Sequence, residues 1–398
     1  MLSEILTDSF FNFIESNRNA DTNSLRLKLH GHSHPFSMDF ALLQIDCRAK
    51  TRQKLAHFIK EPKFIFPTSV AAEQSSHQAV GCYHARLIPS SSKVLDMTAG
   101  LGIDALSIAA SGSKVTACEI DSLKCEALRH NAEILGLNNI SVCEGDSIQL
   151  LKGSSESYDV IFIDPARRGA ENRRVYNLHD CTPDIISLKD EIMHYCSCLL
   201  IKASPLLDIT QTLRDFPDVS AIHSVCVEGE CKEILIELKS QASEVSYHAV
   251  DLDREGNIIS SLHYSDIDFT DGEIAYALPD LTFHYLYEPN AAIMKLAPWR
   301  VLQKNFPELK KLDSDSHIFV SDTFYPSFPG RVMEVEKVIT NKDRKTLKGL
   351  PVNIVSRNYP SSANDLRKKL GAKEGTDQFL YATRLATRPI MYLCRRIK

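Results

Sequence analysis

Between Val94 and Leu238, short apolar runs alternate with segments of helical spacing. Val94 and Leu95 stop at Asp96. Runs at Lys114–Glu119, Ile140–Cys143, Tyr158–Ile163, Cys198–Ala203, Ala221–Glu228 and Glu233–Leu238 follow. Between them, Ala105–Ala110, Ser122–Leu135, a segment capped at Asp180–Asp184 and one ending near Phe216 read as helices. Regular strand–helix alternation predicts a largely parallel sheet covered by helices, an α/β fold. Tyr158–Ile163 is apolar almost throughout, as a strand buried on both faces must be.

The flanking regions have other periods. Ser9–Ile14 places apolar residues at helical spacing before the polar break Asn17–Ser24. Phe40–Ile59 and Ala71–Leu87 each read as one longer helix, the second running directly into the first strand. Beyond the alternating region, Tyr247–Ile259 has a hairpin pattern around Arg254-Glu-Gly-Asn257. A turn at Glu288-Pro-Asn290, a helix through Leu302 and a strand at His317–Val320 suggest a small α+β unit. The remainder reads as strands at Arg331–Ile339 and Val352–Arg357, a helix at Ser362–Leu370, and strands at Gln378–Thr383 and Ile390–Arg395.

Composition narrows the class. With 398 residues, 43% of them hydrophobic, the chain can build two or three cores. It has no apolar run of about eighteen residues, and its start, Met1–Asp8, is too acidic for a signal peptide, so no membrane partner is expected. Eleven scattered cysteines, an odd number, argue for the reducing cytoplasm; only Cys196-Ser-Cys198 are close, and no metal is expected. The alternate histidines of His30-Gly-His-Ser-His34 invite a metal reading, but no carboxylate or thiol partner is near and Gly31 and Pro35 mark a turn. A formal net charge of −5 gives no general attraction for nucleic acid, and DNA is not expected. Residues 300–398, however, hold about twenty Lys/Arg against about ten Asp/Glu, as an ordinary solvated surface or a phosphate-neutralising module would.

Candidate chemistry gathers at the predicted strand ends. After Asp96, Gly100 and Gly102 allow a tight turn into a helix, placing free backbone N–H groups at a strand's C-terminal edge. Glu119 ends the next strand about twenty residues on, the spacing of a carboxylate that binds ribose hydroxyls. Gly145-Asp146-Ser147 ends the third strand, and Asp164-Pro-Ala-Arg-Arg-Gly169 the fourth. A nicotinamide dinucleotide site would want a third glycine where Ala105 stands.

These motifs resemble those of the class I S-adenosylmethionine-dependent methyltransferases, which implies a seven-stranded Rossmann-like sheet and S-adenosyl-L-methionine as methyl donor. The resemblance implies that Asp96, Gly100 and Gly102 cradle the methionine end, that Glu119 holds the ribose and that Asp146 faces adenine. Thr98, Asp104, Ile120 and Ser147 stand in the same motifs and complete the implied cofactor set. Asp164 would face both cofactor and acceptor, with Arg167 and Arg168 beside it as catalytic candidates.

The acceptor atom stays open. Enzymes that methylate exocyclic amines usually carry an aromatic residue where Arg167 stands. Asp164–Gly169 looks closer to the element of RNA uracil-5 methyltransferases, but these need a cysteine nucleophile where this chain has Lys202-Ala-Ser-Pro205. Ribose 2′-O methylation through Lys202, Asp164 and Glu237 is a third possibility. Four arginines between Arg167 and Arg174, Arg173 among them, repel one another and call for acidic neighbours or a substrate phosphate.

The C-terminal stretch Arg357–Leu370 looks like the THUMP-like domain attached to bacterial class I methyltransferases, and the full order is similar to a family of Bacteroidetes proteins. The domains expected are a helical N-terminal region at 1–80, the methyltransferase at 81–245, a ferredoxin-like α+β insert at 246–320 and the THUMP-like domain at 321–398. By analogy the substrate is RNA, tRNA or rRNA, contacted through Arg173, Arg174, Arg357, Arg367, Lys368, Lys369, Arg395 and Arg396. The alternatives are a small-molecule or protein acceptor, or an RNA-binding protein that holds cofactor without turnover.

Overall fold

The computed structural model describes residues 2–31, 33–153, 156–167, 178–240, 243–270, 272–375 and 377–398. His32, the middle of the histidine triplet, is outside them. The chain forms two compact units, one of Met1–Val245 with Asp251–Ile259, the other of Ser246–Val250 with Ser260–Lys398.

After a short helical turn at Leu2–Ile5, the first unit has helices α1 (Asp8–Ser16), α2 (Thr22–Leu29), α3 (Met38–Lys50), α4 (Ser69–Gln74) and α5 (Gln78–Leu87). Its sheet comprises β1 (Lys93–Asp96), β2 (Lys114–Glu119), β3 (Ile140–Glu144), β4 (Tyr158–Ile163), β5 (Cys196–Ala203), β6 (Val219–Val227) and β7 (Glu230–Lys239). Helices α6 (Ile103–Ala110) and α7 (Ser122–Ile134) follow β1 and β2, and α8 (Ser147–Gly153) follows β3. The strand order is β3-β2-β1-β4-β5-β7-β6; β1 runs parallel to both β2 and β4, while β7 is antiparallel to β5 and β6. The order reverses between β1 and β4, and a crevice opens at the carboxyl ends of strands at such a switch point. Val94, Phe162, Val115, Leu106 and Leu128 lie in the core that joins sheet to helices.

Three details depart from the sequence expectations. The ladder has nine strands rather than seven; within this unit Glu228 N–H donates to Leu252 O at 2.8 Å. The helix predicted to Ile59 ends at Lys50, where Thr51 Oγ1 bonds back to Cys47 O. The helix expected over Ala71–Leu87 breaks between Gln74 and Gln78. His77 Nδ1 caps the second half by accepting from Ala79 N–H, and Ser75 Oγ donates to Ala72 O. The break lets Ser76 point at Asp104, a direction that the rotation of a continuous helix would not have fixed.

The second unit has one seven-stranded sheet. Its members are β8 (Tyr285–Pro289), β9 (Lys310–Lys311), β10 (Phe319–Ser321), β11 (Gly330–Ile339), β12 (Asn353–Ser356), β13 (Gln378–Leu385) and β14 (Arg388–Arg396), in the order β9-β10-β8-β11-β14-β13-β12. The long β11 pairs with β8 on one side and β14 on the other, so the ferredoxin-like and THUMP-like parts share a sheet. Helix α9 (Ala363–Leu370) buries Leu366 and Leu370, one turn apart. Among the described residues, no helix is long and apolar enough to cross a membrane.

Candidate functional site

The glycine turn after β1 is tied to its neighbours at both sides. Met97 N–H donates to Phe162 O and Ala99 N–H to Cys118 O, each at 2.9 Å. Gly100 and Gly102 have φ of +57° and +86°, in the left-handed region that favours glycine. A Cβ on Gly102 would lie 2.2 Å from Leu128 Cδ1, so the turn packs directly on α7. Gly102→Ala is therefore expected to lower stability by on the order of 3 kcal/mol, combining the left-handed penalty with overpacking, and to weaken cofactor binding. Thermal melting with and without S-adenosylhomocysteine checks this; a melt matching the wild type would show that the turn accommodates a side chain.

Glu119 is nearly buried and braces the turn. Its Oε2 accepts from Gly100 N–H, and its Oε1 from Ile120 and Asp121 N–H, all at 2.9 Å, with Lys124 Nζ at 3.6 Å. Oε2 takes one of these bonds and has a second lone pair for a ligand hydroxyl. A Cβ on Gly100 would meet nothing nearer than 4.0 Å, so the backbone borders open space beside that oxygen. Ile120 adjoins it with its apolar side chain 76% exposed, a platform for a flat ring. This donor set fits an adenosyl group with an amino-acid tail. Asp146 Oδ1 caps α8 through Ile148 and Gln149 N–H, Asp146 itself is exposed, and Ser147 is buried. Asp96 is buried, its Oδ1 accepting from Thr98 N–H at 3.0 Å; loss of solvent, with Asp104 and Asp164 nearby, pushes its carboxyl up to about 8. Thr98 Oγ1 accepts from Asp164 N–H at 2.7 Å, joining the ends of β1 and β4.

Asp104 departs from its expected place in the cofactor set. It faces inward, where Oδ1 meets His84 Nδ1 at 2.9 Å and Oδ2 accepts from Ser76 Oγ. These bonds belong to a polar chain that crosses the unit. Lys202 Nζ, at the end of β5, donates to Asp164 Oδ2 at 2.5 Å and to Ser76 Oγ at 2.8 Å. On the far side, His84 Nε2 meets Glu233 Oε1 at 2.5 Å. Burial alone would pull His84 down, but Glu233 and Asp104 outweigh it and push the imidazole up to about 10. Asp104 is likewise held at about 2 against its burial by Lys202 and His84. Lys202 is raised well above its ordinary value despite its burial, by Asp164, Asp104 and Glu233, so it stays a cation. Asp164 is shifted upward by desolvation and by Asp104 and Glu233, with Lys202 pulling the other way. Its side chain is the accessible member of the pair, 39% exposed against 13% for Lys202.

Of this chain, the sequence motifs singled out Asp164, Asp104 and Lys202 and missed Ser76, His84 and Glu233. A charged residue beginning the apolar run Ile234–Ile236 was the available signal for Glu233. Glu237, grouped with Lys202 on sequence grounds, is engaged elsewhere: it lies opposite Leu200 and takes Lys239 Nζ at 2.8 Å and Ser220 Oγ at 2.7 Å.

The arginine candidates divide. Arg167 has a described backbone, bridged to Cys181; Arg168, Arg173 and Arg174 lie outside the described residues. Arg357 donates twice to the buried Glu288, at 3.0 and 2.8 Å, and Arg367 to the carbonyls of Val352 and Lys373. Arg395 pairs with Glu334 at 2.5 Å, and Arg396 Nε donates to Lys398 O. In Arg357, Arg367 and Arg395 the guanidinium is thus already engaged by groups of the protein itself. Lys368 and Lys369 stand exposed on α9.

Residues 91–241 match a family model described as RNA cap guanine-N2 methyltransferase, 285–329 a ferredoxin-like domain and 330–396 a THUMP-like domain. A solved structure of a candidate methyltransferase from Porphyromonas gingivalis W83 is similar over 100% of this chain and 99% of its own, with 27% identity and a TM-score of 0.85. An uncharacterized RNA methyltransferase of Mycoplasma mobile is 33% identical over 105 residues, 26% of this chain and 27% of that protein. The 23S rRNA (uracil(1939)-C(5))-methyltransferase of Marinomonas posidonica is 37% identical over 79 residues, 19% of this chain and 18% of that protein. The chain spans between 18% and 33% of the length of the curated relatives it matches.

Proposed function

We propose that this chain, a class I methyltransferase domain followed by ferredoxin-like and THUMP-like parts, transfers a methyl group from S-adenosylmethionine to a structured RNA. The observation that carries the reading is the meeting, at the switch point between β1 and β4, of the Gly100–Glu119 cradle with the Asp164–Lys202 pair, joined through Thr98. The sulfonium cofactor supplies an activated methyl group. Gly100, Glu119 and Ile120 would hold its adenosyl part, with Asp146 at the adenine end and Asp96 and Gly102 shaping the turn.

The protein's share is then mostly orientation, since aligning an acceptor in line with the donor can supply most of the rate. Asp164 is the group placed to take the acceptor's proton or to orient it by a hydrogen bond. Lys202 is a cation throughout and cannot be the base; it positions Asp164 and keeps negative charge favourable there. The curated uracil relative named above is a carbon-5 methyltransferase, and methylating that carbon needs a thiolate to activate the ring. The end of β5 is Lys202-Ala203-Ser204 here, and the strand's own Cys198 is held up at about 12 by burial. We therefore assign the acceptor as a nitrogen or oxygen that is already nucleophilic.

Methyl-labelled S-adenosylmethionine offered with total RNA, protein and small-metabolite fractions from a strain lacking the chain tests the assignment. Label is expected in RNA; label confined to another fraction overturns the RNA reading, and no label with cofactor bound overturns the activity. In the second unit, Lys368→Ala with Lys369→Ala is expected to weaken RNA binding and to reduce the salt slope by about 1.4, at about 0.7 per phosphate contact. Fluorescence anisotropy over a salt series reads it, and an unchanged slope removes α9 from the RNA surface.

A further inference from the structure

Beside the Asp164–Lys202 pair, the first unit contains a cavity of about 640 Å³, bordered by Ser76, His77, Lys54, Lys202, Lys232 and Arg254. It lies where the ends of β5, β6 and β7 meet the break between α4 and α5, so Ser76 and Lys202 belong both to its wall and to the polar chain ending on Asp164. Its volume falls within the range of about 300–1,000 Å³ usual for small-ligand pockets, and would hold a nucleotide but not a duplex.

The wall carries five cations, Lys50, Lys54, Lys202, Lys232 and Arg254, with three carboxylates, Glu228, Glu230 and Glu233, while Glu73 and Asp164, outside the lining, pair with Lys50 and Lys202. Glu233 is already committed to His84. Lys232 and Arg254 reach Glu230 and Glu228, each at 2.7 Å, but those are surface pairs that cost little to rearrange. Lys54 has no carboxylate partner among the described residues. Its Nζ donates to Glu73 O at 2.8 Å, while the Glu73 carboxylate goes to Lys50. Loss of solvent, with Lys202 and Lys232 close by, pulls Lys54 down to about 8, and burial with Lys232, Lys54 and Arg254 pulls His77 to about 4. A cation that lacks a carboxylate partner and is crowded by further cations is what an anion-binding wall looks like before the anion arrives.

We propose that this cavity takes a single nucleotide extruded from the RNA, with Lys54, Lys232 and Arg254 clamping its phosphate and the rest directed toward Asp164. The proposal rests on the methyltransferase reading above and deepens it, naming which part of the RNA the first unit holds. A base or ribose inside a duplex cannot enter a cavity of this size, and extrusion into a pocket is how enzymes solve that problem. Because the clamp grips phosphate, it selects nucleotides over nucleosides whatever the base.

The test uses the full chain loaded with S-adenosylhomocysteine, titrated calorimetrically with the four nucleoside 5′-monophosphates and with the matching nucleosides. At least one monophosphate is expected to bind tenfold or more tightly than its nucleoside. Near pH 8 binding should take up a proton, seen as a heat that varies with the buffer's ionisation enthalpy, because an anion beside Lys54 raises its pKa. Lys54→Gln and Arg254→Gln should each remove most of the preference while leaving S-adenosylhomocysteine affinity intact, which also reports on folding. Equal binding of nucleosides and monophosphates, or variants that keep the preference, overturns the clamp even if RNA is methylated. A phosphate-dependent preference without RNA methylation upholds the clamp and instead defeats the RNA methyltransferase reading.

Discussion

Asp164→Asn is expected to lower the rate of methyl transfer by about 10²–10⁴-fold, the usual contribution of a positioned acid–base group, with little change in S-adenosylhomocysteine affinity. The substitution preserves the size of the side chain and an oxygen for Lys202 Nζ, now 2.5 Å from the carboxylate. It removes the charge and the proton-accepting capacity, so a loss of rate reports chemistry rather than collapse. Asp164 is pushed upward by its surroundings. The wild-type rate should accordingly rise with pH along an acid limb displaced above the ordinary carboxylate range, and that limb should be missing from the variant. Single-turnover rates across pH make the comparison. A variant retaining more than about a tenth of the wild-type rate would reduce Asp164 to an orienting role in which charge is dispensable.

His84→Gln is expected to destabilise the first unit by about 3–5 kcal/mol, the cost of removing one partner from a buried charged cluster. His84 is fully buried between two carboxylates that are themselves nearly inaccessible, Asp104 and Glu233. Without the imidazolium, two negative charges face each other through a low-dielectric gap. The pH dependence gives an independent reading. The folded-state pKa of His84, about 10, lies above its ordinary value of 6.5, so its stabilisation is complete below pH 6.5 and is lost as pH rises to 10. The wild-type melting temperature should therefore fall between pH 7 and pH 10 by more than that of His84→Gln does. Parallel profiles would mean the imidazole is neutral and the cluster carries a different charge state. Because Glu233 and Asp104 also face Lys202, the variant should shift the acid limb of Asp164 as well, which a purely structural histidine would not do.

The strand ends of the cofactor side were legible because each depends on a few neighbouring residues. A buried strand shows as an unbroken apolar run, a left-handed turn shows as glycine, and the carboxylates Asp96, Glu119 and Asp164 end the runs that carry them. Lys368 and Lys369 were legible as surface for the same reason: Leu366 and Leu370, four residues apart, define the buried face of α9 and leave the residues between them outside.

The acceptor side was not legible, because its members meet only after folding. Ser76 reaches Lys202 across 126 residues and His84 reaches Glu233 across 149. Two tertiary facts decide those contacts: the helix breaks before Gln78, freeing Ser76 to point at Asp104, and β7 inserts between β5 and β6, bringing Glu233 rather than Glu237 to the polar chain. The arginines show the same division. Arg357 reads as a free cation in sequence, yet Glu288, 69 residues away, neutralises it in the fold. Local period and turn chemistry thus determined the sheet and the glycine turn that Glu119 braces. The charge state of the site, and which cations remain to meet a phosphate, were set by long-range pairings whose energies depend on burial and separation, and neither quantity exists until the chain has folded.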